Sequence, residues 1–186
     1  LLSYATALLW VGSEIPRGTT VAGVDIGGLD DVAAVQRLDD QLAERAASVS
    51  VDVDGRVRSL PASRFGLQFD PEASVDAVPR REALSLRLVG QVFGQEVDPA
   101  IDVDARQLTR GVRALARRVD QPVRQPRIGY DGSEVVTVAP RAGVALDRAA
   151  AATAIADSYL VGEEPVAIAV ETVEPLVSES ELDETA

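Results

Sequence analysis

The stretch Ser50–Asp70, SVDVDGRVRSLPASRFGLQFD, and the stretch Arg127–Asp147, RIGYDGSEVVTVAPRAGVALD, are two statements of one pattern. Asp54-Gly55 recurs as Asp131-Gly132, Gly66 as Gly143 and Asp70 as Asp147, each pair 77 positions apart. The same offset holds upstream without a gap, where Val24-Asp25-Ile26 aligns with Ile101-Asp102-Val103 and Val35, Leu38 and Leu42 align with Val112, Leu115 and Val119. An ungapped match through apolar positions, a turn and two glycines reads as an internal repeat of one supersecondary unit.

The pattern has a mechanical meaning. Asp-Gly between β-rich runs is a hairpin signal, since glycine takes positive φ at little cost and aspartate tolerates turn geometry. In the first copy, a three-residue loop Val53–Gly55 sets Val51 opposite Val57 and the opposite charges Asp52 and Arg56 across from each other, so this register is expected. Gly66 and Gly143 are expected at positive φ. Each precedes a short alternating strand that ends at an aspartate placed to cap a helix.

Working outward, Leu1–Val11 (LLSYATALLWV) is an apolar run with Tyr4 and Trp10. It is too short to span a bilayer, which takes about twenty residues. With no Met in the chain, it is expected to be the end of a membrane anchor that begins upstream, with Trp10 near the interface. Ile15–Thr20 is a Pro/Gly linker, Val21–Ile26 a strand and Gly27-Gly28 a turn. Asp30 then caps a helix to about Ala46 with Val32, Val35, Leu38 and Leu42 on one face. After the first hairpin, Pro71 stands at a first helical position. Arg80–Gln95 is an insertion expected to hold a short helix. The second unit has a strand Val97–Val103 and a helix Ala105–Val119 with Leu108, Val112, Leu115 and Val119 on one face. A linker Gln121–Pro126, the second hairpin and a helix Arg148–Leu160 closed by Gly162 follow. Val166–Val170 is a further strand, and Ser178 with Glu181 resembles a capping box.

Composition bounds the chemistry. The 186 residues are 46% hydrophobic and 26% charged, a folded composition, but only 4% aromatic, so the cores must be built from Val, Leu, Ile and Ala. All 18 basic residues are Arg, against 30 acidic ones, and the net charge of −12 argues against a nucleic-acid partner. The absence of Cys removes disulfides, thiol nucleophiles and Cys-type zinc sites, and the absence of His removes imidazole catalysis and the usual imidazole metal ligands.

The remaining candidates for chemistry weigh little. Asp52 and Asp54 have a spacing that a glycosidase carboxylate pair could use, but the second copy has Gly129 and Asp131 there, so a solvated strand face and a turn are expected. Ser50–Gly55 is similar to a calcium loop, except that Pro61 stands where the loop needs Glu. Gly23–Gly28 (GVDIGG) lacks the P-loop Lys and the dinucleotide spacing and reads as turn glycine. Arg80, Arg81 and Arg87 form a cluster that would suit a carboxylate or phosphate but more often offsets nearby acids. Glu179–Glu184 reads as solvated linker. No catalytic, metal or cofactor residue is expected, no cofactor is expected, and the ligand contacts stay unassigned.

The stretch Ile15–Leu29 (IPRGTTVAGVDIGGL) resembles the opening of the YoaR-like peptidoglycan-binding domain found in VanW-type envelope proteins and some L,D-transpeptidases. There a membrane anchor precedes a V-x-G-V-x-I-G-G-L strand-turn and a helix. A hairpin and a later G-x-x-x-D follow, matched here by Gly66–Asp70 and Gly143–Asp147. The resemblance runs from about Ile15 to Leu182. It implies an α+β module outside the cytoplasmic membrane of a bacterium that contacts the cell wall. It transfers no ligand residues, and the transpeptidase's catalytic Cys has no counterpart here.

The expectation is therefore an α+β chain of two tandem strand-helix-hairpin-helix units, small mixed sheets with helices packed on one face. Residues 1–19 would be anchor and linker, 20–96 the first lobe, 97–175 the second, and 176–186 the start of a following element. The expected function is a non-enzymatic, membrane-anchored extracytoplasmic module that binds peptidoglycan weakly or positions a neighbouring domain of the same protein at the wall. The alternatives are a structural spacer or protein-interaction stalk without wall affinity and, further off, a hydrolase using surface carboxylates. Because the wall polymer and the chain are both anionic, salt is expected to weaken binding little or to strengthen it.

Overall fold

The computed structural model describes residues 14–79, 95–132, 134–162 and 165–176. The expected anchor run, most of the insertion Arg80–Gln95 with its three arginines, the Ser178 capping box and the acidic run Glu179–Glu184 lie outside the described residues.

The chain is a mixed α+β structure, with four α-helices and small sheets among the described residues. It opens with β1 (Thr19–Val21) and β2 (Val24–Asp25), which pair antiparallel. The single strand expected over Val21–Ile26 is in fact this tight hairpin, because Ala22 and Gly23 both take positive φ and reverse the chain. Helix α1 (Asp31–Ala47) follows, with Asp30 accepting from the Ala33 N–H at its start as expected of a cap. Its buried face is Ala34, Leu38 and Leu42, whereas Val32 is 79% exposed. The apolar stripe read from the sequence was rotated at its first turn.

Strands β3 (Ser48–Val53) and β4 (Arg56–Pro61) form the first hairpin. Its register differs from the expected one: Val51 faces Arg58, Asp52 faces Val57 and Val53 faces Arg56. The loop is two residues because Asp54 and Gly55 both sit at positive φ, the mirror-image turn whose twist matches the strands. The charge pairing that favoured the longer loop is worth only a few tenths of a kcal/mol, about the low end for a cross-strand pair, and turn geometry overrides it. A 3-10 turn (Ala62–Phe65) ends at Gly66, whose φ of 69° is as expected. Next come β5 (Leu67–Phe69) and the short helix α2 (Pro71–Asp76), capped by Asp70.

The expected strand Val97–Val103 is likewise divided, into β6 (Gln95–Val97), parallel to β1, and β7 (Ile101–Val103), antiparallel to β5. Helix α3 (Ala105–Val119) is capped by Asp104. The second hairpin, β8 (Arg127–Asp131) and β9 (Glu134–Val138), pairs with itself alone among the described strands. Then follow β10 (Gly143–Leu146) and α4 (Arg148–Ser158), capped by Asp147 as expected. Leu160, at φ 62°, takes the left-handed position after α4 in place of the expected glycine. Last, β11 (Val166–Ile168) lies parallel to β3, and β12 (Val170–Val173) antiparallel to β10.

Two apolar cores form among the described residues. The smaller gathers Val21, Val24 and Ile26 against Leu38 and Leu42 of α1 and Val75 of α2. The larger packs β3, Phe65, Leu67 and β11 against Val112 and Leu115 of α3 and Ile155 and Tyr159 following through α4. Packing thus crosses the sequence boundary at 96/97, since the first hairpin and β7 both belong to the larger core. Phe69 packs on both cores, and Arg45 donates to Ala22 O at 2.9 Å and Leu160 O at 3.4 Å, tying the two turns together.

Tyr159 gives this architecture a pH signature. It is buried, and its hydroxyl donates to Ala46 O at 2.7 Å, joining α4 to the end of α1. Desolvation raises its pKa above the ordinary value. The raised folded pKa makes its contribution whole below the unfolded value of about 10 and lost as pH climbs through the folded value. The chain has no Lys to titrate in that range. Urea titrations should show stability falling above about pH 10 in the parent and less so in Tyr159→Phe. That variant should lose about 1 kcal/mol at neutral pH. Identical alkaline profiles for the two proteins would refute the assignment.

Candidate functional site

The chain from Gln121 to Pro126 does not run free between α3 and the second hairpin. Gln121 and Val144 exchange both backbone hydrogen bonds, at 2.8 and 2.9 Å, and Arg124 and Arg141 exchange theirs, both at 2.9 Å. Pro122 and Pro126 withhold two donors, so the segment makes only these two bridges rather than a continuous ladder. Gly143 permits the approach: a Cβ there would meet Gln121 O at 2.6 Å and Val123 N at 2.8 Å. Its φ is not positive, so the expectation of a left-handed glycine holds at Gly66 and fails at Gly143. The second glycine is demanded by contact, not by conformation.

This arrangement opens a groove of about 650 Å³. Arg124, Arg127 and Arg141 line it with Gln121 and Gln125, and Pro122, Val123, Val138 and Ala142 supply the apolar wall. Arg124 and Arg141 are directly cross-strand partners, a placement in which like charges repel. Among the described residues none of the three arginines has an ion-pair partner. Asp120, four residues before Arg124, is committed elsewhere: it accepts from Leu146 N at 2.9 Å and pairs with Arg148 at 3.2 Å. Among the described residues no carboxylate lines the groove. Three guanidinium forks beside two primary amides can receive carboxylates bidentately and hydrogen-bond an adjoining peptide or acetamido group.

A second groove, of about 600 Å³, lies where the two cores meet. It is bounded by Val35 and Asp39 of α1, by Phe69 and Asp70, and by Glu72 and Asp102. Its acids make it a poor host for an anionic polymer. The place where the two cores meet is therefore the less suitable of the two for an anionic ligand.

Of the residues singled out from the sequence, Asp52 is half-buried on the outer face of β3 with one carboxylate oxygen lacking a hydrogen-bond partner, and Asp54 is in the exposed turn. They do not converge on a cavity. Gly27 and Gly28 belong to a turn closed by the bond from Gly27 N to Asp25 Oδ1. Arg80, Arg81 and Arg87 lie outside the described residues. Among the described residues no cluster of carboxylates is placed to hold a metal ion, and no helix is long and apolar enough to cross a membrane.

A family model described as "Putative peptidoglycan binding domain" matches residues 58–166, more than half of the chain, and the chain belongs to that family. The match takes in the whole arginine groove and leaves out α1, which forms one side of the acidic one. No curated protein and no solved structure matches the chain.

Proposed function

We propose that this member of the peptidoglycan-binding family holds the wall without cleaving it, through the groove between residues 121–127 and the strands β8 to β10. The ligand groups are the free carboxylates of the peptide stems. Arg124, Arg127 and Arg141 receive them, and Gln121 and Gln125 bond the neighbouring amides. The observation that carries this reading is the Arg124–Arg141 cross-strand pair, two like charges set side by side with no acid among the described residues of the groove. Such a pair is unfavourable alone and is relieved by a bound anion. The described residues that line the groove include neither nucleophile nor general base, which supports a holding role over a hydrolytic one. We place the module on the outer side of a bacterial membrane, with the apolar run Leu1–Val11 as the end of its anchor and further domains of the same protein positioned by it.

The localised arginines revise the expected salt dependence. A net charge of −12 repels the wall at long range, but the contact itself is between opposite charges. Co-sedimentation with purified sacculi should therefore weaken as salt rises through the range where the Debye length falls below about 10 Å. Arg124→Gln combined with Arg141→Gln should reduce affinity by about tenfold or more, since hydrogen bonds to charged groups are worth about 1.5–3 kcal/mol each. Amidating the stem carboxylates of the sacculi should do the same. Undiminished binding by the double variant would refute the groove, and absence of co-sedimentation at every salt concentration would leave the stalk.

A further inference from the structure

Helix α3 carries a charge pattern that the groove does not use. Arg106, Arg110, Arg113 and Arg117 recur at steps of four, three and four residues, so all four stand on one exposed stripe. At a rise of about 1.5 Å per residue the stripe is about 16 Å long. No acid lies within the helix. Each neighbouring pair is a like-charge i,i+3 or i,i+4 contact, which opposes helix formation. Among the described residues none of the four has an ion-pair partner. Arg110 also borders a groove of about 400 Å³, with Arg118 from the same helix and Arg64 from the 3-10 turn beyond it. Leu60 and Ala114 give that groove apolar walls.

A row of point charges at steps of about 5–6 Å suits a thread whose own charges repeat, rather than one compact anion. Accepting the wall-binding reading given above, we propose that this face is a second anion site, taking the phosphodiester-linked polyol polymer of a bacterial wall. Phosphates along the thread pair with the arginine stripe, and its polyol links lie against the apolar walls of the Arg64–Arg118 groove. A flat anionic membrane fits less well. It would face the whole molecule, with its charge of −12, whereas a thin thread laid along the stripe meets four arginines in a row, with the acids Asp104 and Asp120 only at its two ends. A nucleic-acid strand would find no exposed ring among the described residues of this groove, because Phe65 is buried under it.

The test uses the whole chain and two preparations of the same sacculi, one retaining its phosphate polymers and one stripped of them by acid. The parent should bind the polymer-bearing walls about tenfold more tightly than the stripped ones, an increment in line with several charge-assisted contacts. Arg106→Gln, Arg113→Gln and Arg117→Gln together should erase that difference while leaving binding to stripped walls unchanged. Glutamine is a good helix former, and these positions are exposed, so the helix should persist, as circular dichroism would verify. Equal binding of the parent to both preparations, or a difference that survives the triple substitution, would overturn the proposal. Stripe-dependent binding to anionic lipid vesicles equal to that on polymer-bearing walls would overturn it in favour of a membrane surface. Loss of binding to stripped walls alone concerns the carboxylate groove and is read separately.

Discussion

Gly111→Val should cost about 3 kcal/mol or more and loosen the larger core, even though valine replaces the poorer helix former. Gly111 stands in the interior of α3, where glycine is worth about 1 kcal/mol less than alanine on propensity alone. It is retained there by contact. A Cβ would come to 2.6 Å from Arg64 O and 2.7 Å from Phe65 Cδ1, so α3 rests directly on the 3-10 turn. Neither obstacle is a flexible chain end: one is backbone, and the other is a ring buried in the core. Adding a side chain must push the helix off the turn and reopen the packing of Phe65 with Leu115. Gly111→Ala carries the same conflict in smaller form and should destabilise by about 1–3 kcal/mol. Thermal melts of both variants decide the matter. A rise in melting temperature for Gly111→Ala, as propensity alone predicts, would mean that the close approach does not exist in solution.

What the sequence disclosed follows from the range over which each interaction acts. The caps at Asp30, Asp70 and Asp147 were legible because a cap is a bond between residues two or three apart. The positive φ of Gly66 was legible for the same reason. Hairpin register was not, because two turns of similar energy place Val57 on opposite faces, and Asp54 adopts the left-handed conformation that decides between them. The strand break at Ala22-Gly23 was hidden inside a run that reads as one strand, whereas the break before Ile101 was marked by Asp98-Pro99. The α+β class survived all of these errors, since it depends only on the alternation of helical and strand-like stretches.

The arginine groove was illegible for a different reason. Arg124, Arg127 and Arg141 come from a linker, a strand and a loop, and are gathered by two isolated backbone bridges that leave no mark on the sequence. Gly143 held the available clue, but a glycine needed for close approach looks the same on paper as one needed for a turn. The stripe on α3 was written openly, at the i, i+4, i+7, i+11 spacing that marks a helical face. A row of one charge at helical spacing marks an exposed face as an apolar row marks a buried one, above all where its sign opposes the net charge of the chain.

Leu38→Ala should cost about 2–5 kcal/mol, and its spread through the molecule should show whether the two cores are one cooperative unit. Leu38 is fully buried in the smaller core, which has few side chains available to collapse into the space left behind. Three features tie that core to the larger one. Helix α1 runs into β3 without a break, Phe69 packs against both clusters, and Arg45 holds Ala22 O and Leu160 O. If these links are strong, neither core opens alone. Amide exchange should then accelerate in Leu38→Ala by a common factor in the slowest residues of α1 and of β3, the latter lying at the centre of its sheet. Exchange faster only within α1, α2 and the β1–β2 hairpin would mean the opposite. The smaller core would be a separately opening lobe, and the arginine face on the larger core would remain folded and able to bind while its neighbour comes apart.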